Sequence, residues 1–215
     1  MFRFARDIDV TDGTDGPGEA READSGHDRP VRADARRNLD LLLKAALDVF
    51  ATSGVDAPVR EIAEKAGVGI GTVYRHFPQR SDLIKAVMRN EVDACADAAV
   101  SLSAEHEPGE ALSRWMQRFA DFIMAKRGLA AALHSGDPAY QALPVYFDQR
   151  MIPALQGLLD KAVAAGAARG DVEANEFLRA GAQLSNLGQG DDPAATRRMI
   201  ALLVDGLRYG AAAKG

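Results

Sequence analysis

The stretch that decides the fold is Val59-Arg-Glu-Ile-Ala-Glu-Lys-Ala-Gly-Val-Gly-Ile-Gly-Thr-Val-Tyr-Arg-His-Phe-Pro-Gln-Arg-Ser-Asp-Leu-Ile84. Pro58, just before it, suits the first position of a helix, and Val59, Ile62, Ala63 and Ala66 then repeat as one buried face until Gly67 ends the element. After Val68 and Gly69 a third helix runs through Thr72, Val73 and Tyr74 to Phe77. Pro78 closes it, because the residue before a proline disfavours the helical region. Two short helices joined at Gly67, the second packed on the first through Val68, Val73 and Phe77, make a helix-turn-helix. The competing reading is a plain helical hairpin in a bundle core. Against it stand Thr72, Tyr74, Arg75 and His76, polar groups crowded on one short element that a core would fill with Leu and Ala. A hydroxyl, a phenol, a guanidinium and an imidazole suit phosphate oxygens and base edges, and Gly71 leaves room for close approach to a groove.

Upstream, Leu39, Leu42, Leu43, Ala46 and Phe50 fall at helical spacing in a helix expected from about Ala33 to Gly54. Residues 1–30, rich in Asp, Gly and Glu, read as a disordered acidic leader. Downstream a fourth helix is expected from Ser81, whose hydroxyl can cap it, with Leu83, Ile84, Val87 and Met88 as its apolar stripe. Further helices are expected at about 109–127, 128–135, 143–166, 173–187 and 193–210, punctuated by Gly and Pro, with no strand pattern. The class is all-α. Residues 31–80 read as a three-helix DNA-binding domain and 81–215 as a helical regulatory and dimerisation domain.

The net charge of −5 divides unevenly: −4 over residues 1–30, +3 over 31–90 and −4 over 91–215. Only the middle segment would attract a polyanion. The single cysteine, Cys95, excludes an intramolecular disulfide and a cysteine-based metal cluster, and no metal site or cofactor is expected. Neither a secretory signal nor a long uncharged apolar run is present, so the expected location is cytoplasmic.

The quoted stretch, with Ala45-Ala-Leu-Asp-Val-Phe-Ala-Thr-Ser-Gly54 before it, closely resembles the signature of the TetR family of repressors over residues 35–88. The resemblance implies that Arg60, Ile70, Gly71 and Tyr74 face the major groove of an operator, and that Thr72, Tyr74, His76 and Arg80 reach phosphates. The chemistry agrees: Arg60 can fork onto a guanine, and Arg80 keeps the charge where the family usually has lysine. Arg32, Arg36 and Arg37 can add phosphate contacts or form a solvated helix face. The chain departs from the pattern at Ala57 and Pro58, where the family often has a capping Thr or Ser; Asp56 is the substitute cap. His76 also has a second reading, packing against the first helix.

Further on, Trp115, Met116, Phe119 and Phe122 line one side of a helix, and His134, Tyr140, Tyr146, Phe147 and Met151 follow nearby. Such a stripe is usually core, yet pockets in helical proteins are lined by the same side chains with a few polar groups, and we read these residues as the walls of a small-molecule pocket. The resemblance implies an effector there that shifts the spacing of two DNA-binding heads. The last two helices carry Phe177, Leu178, Gly181 and Leu184, then Ile200, Leu203, Val204 and Leu207. They read as half of a four-helix homodimer interface, consistent with a palindromic target whose half-sites lie about 34–36 Å apart or at multiples of that spacing. No phosphate-binding glycine loop and no His-Glu-x-x-His appears, so an enzyme is not expected. The remaining alternative is an architectural helix-turn-helix protein without an effector.

Overall fold

The computed structural model describes residues 28–187 and 192–209. All but the last three residues of the expected acidic leader lie outside these, as do the side chains of Arg32 and Arg36. Helix α1 (Asp28–Ser53) begins earlier than the periodicity indicates, with Pro30 in its first turn, where a missing N–H interrupts no hydrogen bond. It is followed by α2 (Val59–Ala66) and α3 (Ile70–His76). Gly67 ends α2 in the left-handed region at φ +68°, which a side chain would strain. Its N–H and that of Val68 bond to the carbonyls of Glu64 and Ala63 at 3.2 and 3.0 Å, the paired bonds of a Schellman turn. Asp56 does not cap α2: Pro58 holds the cap position, and Asp56 lies two residues too early to reach the free N–H groups.

Helix α4 (Arg80–Glu105) starts one residue before the expected Ser81. Gln79 is its cap, and the Asp82 carboxylate accepts a hydrogen bond from the Gln79 N–H at 3.3 Å. Twenty-six residues at about 1.5 Å per residue make α4 a rod of about 39 Å. Its first turns share a buried cluster with Leu42, Val49, Phe50, Ile62 and Val73, and its later turns, through Val92, Cys95 and Ala99, enter the rest of the core.

The larger part is built around α5 (Pro108–Ala125), which packs on α4, α7 (Leu143–Ala164), α8 (Ala174–Leu187) and α9 (Pro193–Arg208). Between α5 and α7 the chain narrows to a 3-10 turn (Lys126–Leu129), a single helical turn α6 (Ala130–Leu133) and a second 3-10 turn (Pro138–Tyr140). Trp115, Met116, Phe119 and Ile123 are fully buried along α5. Burying each such side chain stabilises by about 1.5–3 kcal/mol, so this stripe anchors the domain. The Trp115 indole donates to the Cys95 carbonyl at 2.9 Å, satisfying its one polar atom in the core. Among the described residues no strand occurs, and no helix is long and apolar enough to cross a membrane.

Gly128, in the first 3-10 turn, touches the backbone of α1. A Cβ at this position would overlap the Phe50 carbonyl and come within 2.7 Å of the Ala51 Cα. Only a residue without a side chain allows that approach.

Candidate functional site

Helix α3 is held by a single deep anchor, Val73, whose side chain is 0% exposed, with Thr72 and Phe77 half-buried on either side. The rest of the element faces outward: Ile70 is 45% exposed and Tyr74 51%, and Gly71, Arg75 and His76 are exposed as well. Seven residues thus give one side chain to the core and offer an aromatic, two cationic-capable groups and an isoleucine to solvent. The helix carries no acidic residue, and Arg75 and His76 occupy its last turn. His76 is exposed, and its ring lies beside that of Phe77, at a centroid distance of 6.1 Å and a tilt of 43°.

Two of the polar groups are already engaged. Arg75 curls back along α3, donating to the Thr72 hydroxyl at 3.0 Å and to the Gly71 carbonyl at 3.3 Å. Arg60, on α2, pairs with Glu64 one turn on at 2.9 Å. Both partners of that pair are well exposed, so it contributes about 0–1 kcal/mol and an incoming guanine or phosphate can displace it. Arg37, on α1, is exposed.

Arg80 differs from the expectation of a phosphate contact. Its guanidinium, half-buried, donates to the carbonyls of Val55 and Ala57 in the loop between α1 and α2. The planar fork suits two adjacent carbonyls, so the side chain ties the start of α4 to that loop instead of extending outward.

A second feature lies about the 3-10 turn after α5, where a cavity of about 360 Å³ opens between α4, α6, α7 and α8. Of the side chains expected to form a pocket, His134 and Phe147 line it. Trp115, Met116, Phe119 and Met151 are instead buried in the core, because the α5 stripe is needed to cover α4 and α8. Phe122 is buried and stacks on Phe147 at 6.0 Å. Tyr146 turns away to donate to Asp93 at 2.7 Å, in a network where Arg150 bridges Asp93 and Asp97. Tyr140, noted from its position, does reach the cavity wall. The residue that sequence reasoning missed is Lys126, which lines the cavity with its ammonium 5.7 Å from the ring centroids of both Phe122 and Phe147. It continues the stripe of Phe119 and Ile123 at helical spacing, and a lysine in such a register was the available signal.

The residues assigned to a dimer interface are also placed differently. Phe177, Leu178, Gly181, Ile200, Val204 and Leu207 are buried within the chain, and Leu184 and Leu203 are half-buried. Gly181 faces Met116 and Phe119, which shows why that stripe is consumed by the domain's own core. A different stripe of α9 remains uncovered: Met199, Leu202 and Gly206, spaced 3 and 4, with Met199 45% and Leu202 63% exposed. Such spacing is that of a coiled-coil seam.

Comparison with known proteins agrees with this architecture. Residues 42–87 match the family profile described as bacterial regulatory proteins, tetR family, and residues 107–209 match that of the SbtR-like transcriptional regulator C-terminal domain. The fold is similar to the TetR transcriptional regulator SCO0520 of Streptomyces coelicolor, with 40% identity and a TM-score of 0.70 over 79% of this chain and 97% of that one. It is also similar to a TetR transcription regulatory protein of Mycobacterium vanbaalenii, with 36% identity and a TM-score of 0.66 over 83% and 99% of the two chains. The regulator TtgW of Pseudomonas putida is 36% identical over 83 residues, which are 36% of this chain and 62% of that protein. The match therefore spans less than two thirds of this curated relative.

Proposed function

Because the chain belongs to the TetR family, it is a helix-turn-helix regulator of transcription that binds DNA, and we propose that it acts as a homodimeric repressor released from a palindromic operator by a small molecule. Its relatives are regulators, not enzymes. Residues 31–80 serve as the DNA-binding head, and 81–215 as the body that dimerises and senses.

The observation that carries this reading is α3, with Val73 turned inward and Ile70, Gly71, Tyr74, Arg75 and His76 turned outward. Ile70, Gly71 and Tyr74 approach base edges together with Arg60, while Thr72, Tyr74, Arg75 and His76 serve phosphates, and the net +3 of residues 31–90 supplies the attraction. Arg80 acts indirectly, holding the α1–α2 loop at the edge of the head.

Two features support the remaining parts. The exposed α9 stripe through Met199 and Leu202 gives a second copy an apolar seam, and a two-fold pair of heads implies a two-fold DNA site. The cavity beside Lys126 is flanked by Gly128, whose backbone rests on α1 of the head. A ligand that binds one position of that turn more tightly than another therefore biases where α1 sits, which is the requirement for release. This arrangement favours a sensing body over an architectural protein without an effector.

Selection of bound duplexes from a random library, followed by titration of the winners at two salt concentrations, tests the proposal. The expected result is an inverted repeat bound by a dimer, with non-specific DNA weaker by a factor of about 10³ or more. Enrichment of no sequence would contradict it.

A further inference from the structure

The lining of the cavity by α6 has a one-sided charge. Lys126, Arg127 and His134 reach it, and neither Asp nor Glu does. Of the three, Arg127 is occupied, donating to the Ser185 carbonyl at 2.7 Å, and the His134 Nδ1 donates to the Ala130 carbonyl at 2.8 Å. Lys126 has no carboxylate partner among the described residues. Its ammonium lies beside the stacked Phe122 and Phe147 rings, 5.7 Å from the centroid of each.

That position costs stability. Contact with aromatic faces contributes about 0.5–2 kcal/mol and replaces only part of the hydration that a buried ammonium gives up. Burial accordingly pushes the Lys126 pKa down, with nothing acidic nearby to restore it. A lysine stem is long enough to carry its charge to water where the path is open, yet here the side chain remains half-buried beside the cavity. Apart from the Asn186 amide and the Tyr140 phenol, the rest of the wall is apolar, with Met88, Ile123, Leu133 and Leu143 prominent. A volume of about 360 Å³ is at the small end of the 300–1,000 Å³ range of ligand sites.

We infer that this cavity takes a small monoanionic amphiphile, a carboxylic acid with an apolar body, whose carboxylate pairs with the Lys126 ammonium while the body lies against Met88, Ile123, Leu133 and Leu143. One unpaired cation calls for one negative charge, and the missing acidic groups disfavour a cationic ligand. A charge-assisted hydrogen bond inside an apolar wall is strong enough to select an acid over an alcohol of equal shape. The inference rests on the reading of this cavity as the effector site, and names the chemistry of its occupant.

The test uses the full chain and two matched probe sets: decanoate, decanol and decylamine for a flexible body, and 2-naphthoate with 2-naphthylmethanol for a flat one. Calorimetric titration should show at least one acid bound tenfold or more tightly than its alcohol, and decylamine weaker than decanol. The better set identifies whether the body is a chain or a ring. In Lys126→Met the acid's advantage should fall to about onefold while the alcohol binds as before, which also demonstrates that the variant is folded; Lys126→Arg should retain the advantage. Equal binding of acid and alcohol, an advantage that survives Lys126→Met, or no saturable binding of either acid overturns the inference. Adding each bound probe to an operator complex separates the two readings. An acid that binds through Lys126 without releasing DNA leaves the ligand class intact and removes the effector role; an alcohol that releases DNA equally well in wild type and Lys126→Met does the reverse.

Discussion

Gly128 and Phe50 meet backbone to backbone: no Cβ fits at Gly128 without overlapping the Phe50 carbonyl, and the Ala51 Cα is next in line at 2.7 Å. The 3-10 turn that walls the cavity is therefore also a support for the last turns of α1. Gly128→Ala must push these two segments apart. We expect a loss of about 1–3 kcal/mol in urea unfolding, as for other overpacked sites, together with weaker operator binding from a displaced head. A Gly128→Ala protein as stable and as tight on DNA as wild type would show that the two backbones are not held together in solution.

Arg80 separates two ways of assisting DNA binding. If its work is to hold the Val55 and Ala57 carbonyls, Arg80→Ala should lower stability by about 1 kcal/mol, since it leaves two partly buried acceptors without their donor, and should weaken the operator complex without altering its salt dependence. A phosphate contact would instead reduce the slope of log K against log salt by about 0.9. Titrations at four salt concentrations distinguish these outcomes.

Cys95 should be chemically silent in the folded protein. It is buried at 2% exposure, and burial pushes its thiol pKa up to about 12. The sign follows directly: the unfolded chain releases this proton near the usual value of about 8.5 while the folded one retains it, so Cys95 withdraws stability as pH rises beyond that point. Alkylation at pH 8.5 should be slow in buffer and immediate in denaturant. Rapid labelling without denaturant would place Cys95 at the surface.

The two stripes of α9 predict opposite phenotypes. Leu202→Glu, at a 63% exposed position, should yield a folded monomer by light scattering, with operator affinity lost along with the dimer. Ile200→Glu, at a fully buried one, should fail to fold, since an unpaired carboxylate has no partner there. A Leu202→Glu protein that remains dimeric would move the interface elsewhere.

How much of this was legible in the sequence depended on how local the cause was. The Gly67 turn and α3 could be read because glycine at the helix end, proline after it and one apolar residue among polar neighbours act within a few positions. Arg80 could not, because its acceptors are backbone carbonyls 25 and 23 residues earlier, which no residue type announces. On α9 both stripes are apolar, and hydrophobicity alone does not say which one the domain keeps; Ile200 and Val204 went to its core, leaving Met199 and Leu202 outside. The aromatic run on α5 reads as a stripe that is usually core, and the structure buries Trp115 and Phe119 there; the sequence does not separate that outcome from a pocket wall, since both side chains look alike in either setting. Lys126 stands in the register of the α5 stripe, but only the placement of the Phe122 and Phe147 rings gives it meaning.

The most direct test of the account is contact between Tyr74 and DNA. Tyr74→Ala should weaken binding to a selected operator at least tenfold while leaving thermal unfolding unchanged, because the side chain is 51% exposed and supports no core. A photoreactive side chain at position 74 should crosslink to bases within the operator half-site, and the same group at Val100, exposed on α4, should not. Operator bound at full affinity with residue 74 absent from every adduct would contradict the assignment of α3 as the element that reads DNA.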